Sequence, residues 1–216
     1  MRRLVSTIFI LALFFASQIA NAQNNIKTYD FKEFDKVQIE DVNGEVEVVL
    51  GEQYSIVVSG EDNAQDQIRI IKSKNKLLIR LDSIYVTEWK KRKPVKVQIT
   101  LPKISTLYNF SNADVNVKKL GGKFLVVENK GNGNILLDGS TIDLLEIKNN
   151  GNGNVETKNI FSKKIDIIKS GNGDVTIRTD ANFEVQMAGN GDIVNYGKGR
   201  ATIKKQSGTG KVVYKN

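Results

Sequence analysis

Gly131-Asn132-Gly133-Asn134 returns as Gly151-Asn152-Gly153-Asn154, as Gly171-Asn172-Gly173-Asp174 and as Gly189-Asn190-Gly191-Asp192. Degenerate copies stand on either side, Ser111-Asn112-Ala113-Asp114 before and Gly208-Thr209-Gly210-Lys211 after. Successive copies start 20, 20, 20, 18 and 19 residues apart. Self-similarity at a nearly constant period of this length marks a stacked repeat.

The flanks of each copy share one pattern. Four positions after the start come Val115, Ile135, Val155, Val175, Ile193 and Val212, and two further on Val117, Leu137, Thr157, Ile177, Asn195 and Tyr214. Before the turns stand Leu125/Val127, Leu145/Ile147, Ile165/Ile167 and Phe183/Val185. Alternation with period two turns one face of a strand inward. Each repeat therefore reads as strand, Gly-rich turn, strand, then a second bend near Gly139-Ser140 or Asn159.

Two short strands cannot bury their apolar pairs alone, but stacking equivalent strands in register, about 4.8 Å apart, does so. Glycine suits such corners because it accepts the positive φ of a tight turn and lets neighbouring corners nest. The L-x-x-L-x-L spacing of a leucine-rich repeat is missing. The expected fold is all-β: a right-handed parallel β-helix-like solenoid with coils of about 20 residues and a less regular β-rich N-terminal capping part.

The N-terminal part supplies alternating or β-branched runs at Val37–Ile39, Tyr54–Val58, Ile68–Ile71, Leu77–Leu81 and Val95–Leu101, with Asn75-Lys76 as a hairpin turn. Val42-Asn43-Gly44-Glu45-Val46-Glu47-Val48 resembles a diverged coil. Some antiparallel pairing is expected here, because a bare coil end exposes core and an unpaired edge.

Residues 1–22 fit an export signal: Arg2 and Arg3, an apolar stretch from Leu4 to Ile19, and a small-residue exit at Ala20-Asn21-Ala22. Cleavage there leaves 23–216 as one domain, divided into an irregular part over 23–103 and the repeated coils over 104–216. No transmembrane span is expected after cleavage. Export places the chain in the periplasm, the cell envelope or the extracellular space. No Cys is present, so burial and hydrogen bonds hold the fold without disulfides. No His is present either, which removes the commonest general base and zinc ligand. Without Arg2 and Arg3 the formal charge falls from +8 to +6, and most Lys residues are scattered singly between strands.

The chain resembles the head GIN domain family of exported bacterial proteins, described as autotransporter adhesins. The resemblance rests on Phe34-Asp35-Lys36-Val37-Gln38-Ile39, Leu77-Leu78-Ile79-Arg80, Val97-Gln98-Ile99-Thr100-Leu101-Pro102 and the Gly-x-Gly turns, and it covers nearly all of residues 23–216. Asn stands between the glycines here, where small Ala or Ser is common in the family. The resemblance implies a β-helix-like fold and a cell-envelope role, and it brings no catalytic residues.

Three sets of residues are candidate ligand-binding surfaces. Asn112, Asn132, Asn152, Asn172 and Asn190 fall at one position of five coils, where stacked amides form a ladder. The ladder either binds a linear glycan or simply closes the corner, since Asn tolerates turns. Beside it run Asp114, Asn134, Asn154, Asp174, Asp192 and Lys211. Asp174 and Asp192 stack in adjacent coils, a spacing that suits paired glycosidase carboxylates, attracts Ca²⁺ or simply lets both point into water. Finally, Trp89-Lys90-Lys91-Arg92-Lys93 places the sole Trp beside four cations. Such a set can stack on a sugar and attract an anion, or serve as a solvated hairpin tip. The expected function is a non-enzymatic envelope or extracellular adhesin-like binding protein, its partner a surface polysaccharide or envelope protein. No cofactor, metal or nucleic acid is expected. The alternative is a polysaccharide-active enzyme on a β-helix scaffold, and a third reading is a structural spacer.

Overall fold

The computed structural model describes residues 25–215, so the expected export signal over 1–22 lies outside the described residues. The strands are β1 (Ile26–Tyr29), β2 (Lys36–Glu40), β3 (Gly44–Leu50), β4 (Ser55–Ser59), β5 (Ile68–Ser73), β6 (Lys76–Leu81), β7 (Val95–Leu101) and β8 (Thr106–Phe110). They continue as β9 (Asp114–Asn129), β10 (Ile135–Asn149), β11 (Val155–Lys169), β12 (Val175–Ile177), β13 (Phe183–Met187), β14 (Ile193–Asn195), β15 (Ala201–Gln206) and β16 (Val212–Tyr214). A 3-10 segment, Glu61–Gln67, joins β4 to β5, and a short helix α1 (Ser83–Val86) with a 3-10 turn at Trp89–Lys91 fills the connection from β6 to β7. The protein is all-β, in one open sheet of 16 strands.

Parallel ladders on both sides of each Gly-rich corner tie the repeats together. After the corner, Val97, Val46, Val115, Ile135, Val155, Val175, Ile193 and Val212 are register partners in one column through eight layers. Before it, Leu77, Val37, Leu107, Val127, Ile147, Ile167, Val185 and Ile203 form the facing column. All members but the last of each column are buried. Each such aliphatic side chain contributes roughly 1.5–3 kcal/mol on burial, so in-register stacking is what stabilises every layer.

Spatial order departs from chain order at the N-terminal end. The β2–β3 layer lies between the β6–β7 layer and the β8–β9 layer. Beyond β6 and β7 come antiparallel partners, β5 on β6, β4 on β7 and β1 on β4. This is the expected antiparallel pairing, and it covers the end of the core. The expected diverged coil at 42–48 is β3, aligned with β9 through Val46 and Val115.

Three expectations need correction. Asn75-Lys76 is not the hairpin turn: Ser73 pairs with Lys76, so Lys74-Asn75 turns the chain, with Lys74 at φ 53. The second bend does not interrupt β10 or β11, which run through Gly139-Ser140 and Asn159 with only register irregularities. Real breaks come in other layers, after Leu101, after Ile177 and after Asn195. Most corner glycines also lack positive φ, which is confined there to Gly44 (121), Gly189 (90) and Gly208 (85).

Close approach explains the glycines instead. A Cβ on Gly153 would sit 2.0 Å from the carbonyl oxygen of Gly133, and one on Gly131 1.8 Å from that of Ser111. No side-chain rearrangement relieves a clash with backbone. Gly153→Ala is expected to destabilise the protein by about 3 kcal/mol or more, read as a fall in the urea unfolding midpoint. An unchanged midpoint would show that the layers can separate locally.

Candidate functional site: the stacked asparagine corner

Between two glycines that tolerate no Cβ, only the middle residue carries a side chain at the corner, and the register stacks these side chains. Asn132 Nδ2 donates to Asn112 Oδ1 at 2.8 Å, Asn152 to Asn132 at 2.8 Å, Asn172 to Asn152 at 3.0 Å and Asn190 to Asn172 at 3.1 Å. Thr209 Oγ1 extends the row by donating to Asn190 Oδ1 at 2.9 Å. All five Asn residues read from the sequence are exposed and in one ladder. From Asn112 to Thr209 it spans about 24 Å at the usual strand spacing. Asn43, aligned with Asn112 by the Glu45–Asp114 register, holds the same position one layer further.

The neighbouring column is a second ladder, from side chain to backbone. Asp114 Oδ1 accepts from the Asn134 amide N–H at 2.8 Å, Asn134 Oδ1 from Asn154 at 2.9 Å, and Asn154 Oδ1 from Asp174 at 2.8 Å. Asp174 Oδ1 then accepts from Asp192 at 2.7 Å, and Asp192 Oδ1 from Lys211 at 2.8 Å. Asp174 and Asp192 thus each hold a corner amide that the ladder would otherwise leave to solvent. Among the described residues no group of three or more acidic side chains is placed to hold a metal ion.

A third column, inside the corner, was missed in the sequence. Asn129 Nδ2 donates to the carbonyls of Gly133 (3.1 Å) and Gly153 (3.2 Å), and Asn149 Nδ2 to those of Gly153 (3.0 Å) and Gly173 (3.3 Å). Their Oδ1 atoms accept from Gly131 and Gly151. Both are fully buried, as is Asn109, which donates to Ala113. The signal was legible: Asn two residues before the first Gly, repeating every 20 residues. Asn195-Tyr196-Gly197-Lys198-Gly199 repeats the motif at the second corner, with Asn195 Nδ2 donating to Thr179, Gly197 and Gly199.

Lys169 replaces Asn in this inner column, in register with Asn149. It is 1 % exposed, and its Nζ donates to the Gly171 carbonyl at 2.8 Å. Burial pushes its ammonium below the ordinary lysine range, opposed by the nearby Asp174 and Asp192 carboxylates.

The basic segment lies on the same edge. Since β6 and β7 are in register with β2 and β3, residues 81–94 replace the three-residue corner Asp41-Val42-Asn43. The segment is therefore a corner insertion and not a hairpin tip. Buried Gln67 clamps it, donating to Lys91 O at 2.9 Å and accepting from Lys93 N at 3.1 Å. Lys91 pairs with Glu88, Lys93 with Asp62, and Arg92 donates to the carbonyls of Tyr85 and Val86. Lys90 is in the same turn, while the Trp89 side chain lies outside what is described. At the segment's base, burial raises the Asp82 carboxyl, but Arg69 at 2.6 Å and the Ile84 amide outweigh it and leave it below its ordinary value.

Two shallow depressions flank the ladders and share Glu45 and Asp114. One, of 460 Å³, lies against Gly60, Pro94 and Lys96; the other, of 280 Å³, runs along Asn116, Asn134, Leu136, Asn154 and Glu156. Lys118 and then Gln98, by hydrogen bonding, hold the nearby Glu47 carboxyl below its usual range. The result is a long polar edge with two open depressions beside it.

Layered parallel strands with repeated polar corners define the class, and the comparisons give the family. Residues 33–216 match the family model described as "Putative auto-transporter adhesin, head GIN domain", and the chain belongs to that family. A solved "putative adhesin" from Bacteroides fragilis is similar at TM-score 0.64 and 19% identity, over 88% of this chain and 96% of that one. A "putative adhesin" from Parabacteroides distasonis gives TM-score 0.49 and 13% identity, over 88% and 96%. A "putative lipid binding protein" from the same species gives 0.45 and 14%, over 89% and 96%. No curated protein matches the chain.

The two Asn columns differ in burial, and so in expected energetics. Asn149→Ala takes the side-chain partner from the Gly173 carbonyl and the Gly151 amide at a buried position and should cost about 2–3 kcal/mol, whereas Asn152→Ala, on the exposed ladder, should cost about 1 kcal/mol or less. Chemical unfolding of both variants checks the order. Lys169→Asn should raise stability by roughly 1 kcal/mol at neutral pH. Because the folded state binds the Lys169 proton less tightly than the unfolded chain, wild-type stability rises with pH from the folded pKa to the unfolded one. The variant should lack that alkaline rise, and unfolding curves at neutral and alkaline pH measure it.

Proposed function

We propose that this protein is a non-enzymatic, adhesin-like binding protein of the cell envelope, whose asparagine corner binds a linear polysaccharide. Its repeats form a right-handed parallel β-helix over 104–216, and 23–103 forms the capping part. Residues 1–22 are an export signal, so the chain acts in the periplasm, at the envelope or outside the cell.

One observation carries this reading: the unbroken row of exposed amides from Asn112 to Asn190. A primary amide has two N–H donors and two oxygen lone pairs, and the ladder uses only one of each. A donor and an acceptor therefore remain at every layer, at regular spacing, in a ladder already ordered before binding. A repeating chain of hydroxyls is the complementary ligand, and preorganisation lowers the entropic cost of holding it. Engagement of Asp174 and Asp192 by backbone amides favours binding over glycoside hydrolysis.

A glycan array probed with residues 23–216 tests the reading. A linear polysaccharide should bind, and Asn132→Ala with Asn152→Ala should weaken it about tenfold with the fold intact. Absence of any glycan ligand, or binding indifferent to the double substitution, would sink the proposal. Glycan turnover lost in Asp174→Asn with Asp192→Asn would replace it with an enzyme.

A further inference from the structure

The two ends of the stack differ. At one end, β5, β4 and β1 cover the β6–β7 layer. At the other, β15 pairs only with β13, and β16 only with β14, among the described residues. The inward positions of this terminal layer are open. Ile203 is 46% exposed although its register partner Val185 is 0%, and Tyr214 is 37% exposed against 0% for Asn195. Tyr214 folds back toward the end of the core: its hydroxyl accepts from the Ala201 amide at 3.1 Å, and the Arg200 guanidinium lies over its ring at 4.3 Å.

Charge is concentrated at the same end. Residues 23–157 carry 19 Lys/Arg and 19 Asp/Glu, whereas 182–216 carry 6 against 2. Lys204 pairs with Glu184. Lys198, Arg200, Lys205, Lys211 and Lys215 form no ion pair with a carboxylate among the described residues.

We propose that this terminal layer is a docking edge for an extended acidic segment of a partner protein, added as a further strand beside β15. Its apolar side chains would cover Ile203, and its carboxylates would meet Lys204 and Lys205. Unpaired strand edges are completed by another strand, whereas lipid tails offer their N–H and C=O groups nothing. A second copy would bring two basic layers together. The lysines of β15, and its register shift beside Gln186, also guard the edge against such self-pairing. An acidic strand neutralises that guard, so the same charges that repel a copy select the partner.

The probe is a short peptide alternating valine with glutamate. It is tested beside a valine–lysine peptide, polyglutamate, and phosphatidylcholine vesicles containing phosphatidylglycerol. Calorimetry measures binding, and amide hydrogen exchange locates it. The valine–glutamate peptide should bind and slow exchange across residues 201–206. Lys204→Glu with Lys205→Glu should weaken it about tenfold or more without lowering the unfolding temperature. The proposal is overturned if this peptide fails to bind, if it protects another part of the chain, or if polyglutamate binds equally well. Preferential vesicle binding, or concentration-dependent protection of 201–206 without peptide, would also overturn it, in favour of a membrane or a second copy.

Discussion

The approach of one backbone corner to the next governs this protein. At six corner positions from Gly131 to Gly173, a Cβ would fall 1.8–2.1 Å from a carbonyl oxygen of the preceding layer. That distance leaves room for hydrogen only, so both flanking positions must be glycine. The residue between them is the sole side chain left at the tip, and stacking then makes it a column. The exposed Asn ladder is thus a geometric consequence of the nested corner as well as a candidate binding surface.

Three polar columns share the work of closing that corner. The inner Asn residues hold the glycine carbonyls from within the core, the Asx column holds backbone amides from outside, and the tip amides hold one another. Lys169 breaks the inner column where the repeat shortens from 20 to 18 residues, and its ammonium makes one bond to Gly171 where Asn149 reaches two carbonyls. Buried polar groups are costly when unmet, so these columns fix the register more sharply than aliphatic packing alone. A slip by one layer would still match valine with valine but would misplace Lys169, Thr157 and Asn195.

The two ends show how a stacked fold limits itself. Antiparallel strands terminate one end by reversing chain direction, so their outer edges no longer match the parallel template. The other end relies on Tyr214 and on clustered positive charge. The basic balance of the whole chain, which suggests a diffuse solvated surface when read as composition, is in fact localised to the last layers.

The repeat period, the inward-facing residues at 115, 135, 155, 175 and 193, the family and the stacking of the five asparagines were all legible in the sequence. They depend on local spacing, and a parallel in-register stack converts spacing directly into position. Other features depended on tertiary structure. Strand alternation is identical for parallel and antiparallel neighbours, so the sequence could not place β2–β3 inside the stack or set β4 and β5 against β7 and β6. Nor could spacing show that residues 81–94 replace a corner, because only cross-layer pairing of Arg80 with Glu40 and Val95 with Gly44 aligns that insertion with the asparagine edge. Glycine at a turn suggests a need for positive φ. Only the packed layers reveal that, at most of these corners, the constraint is an oxygen atom from the coil beside it.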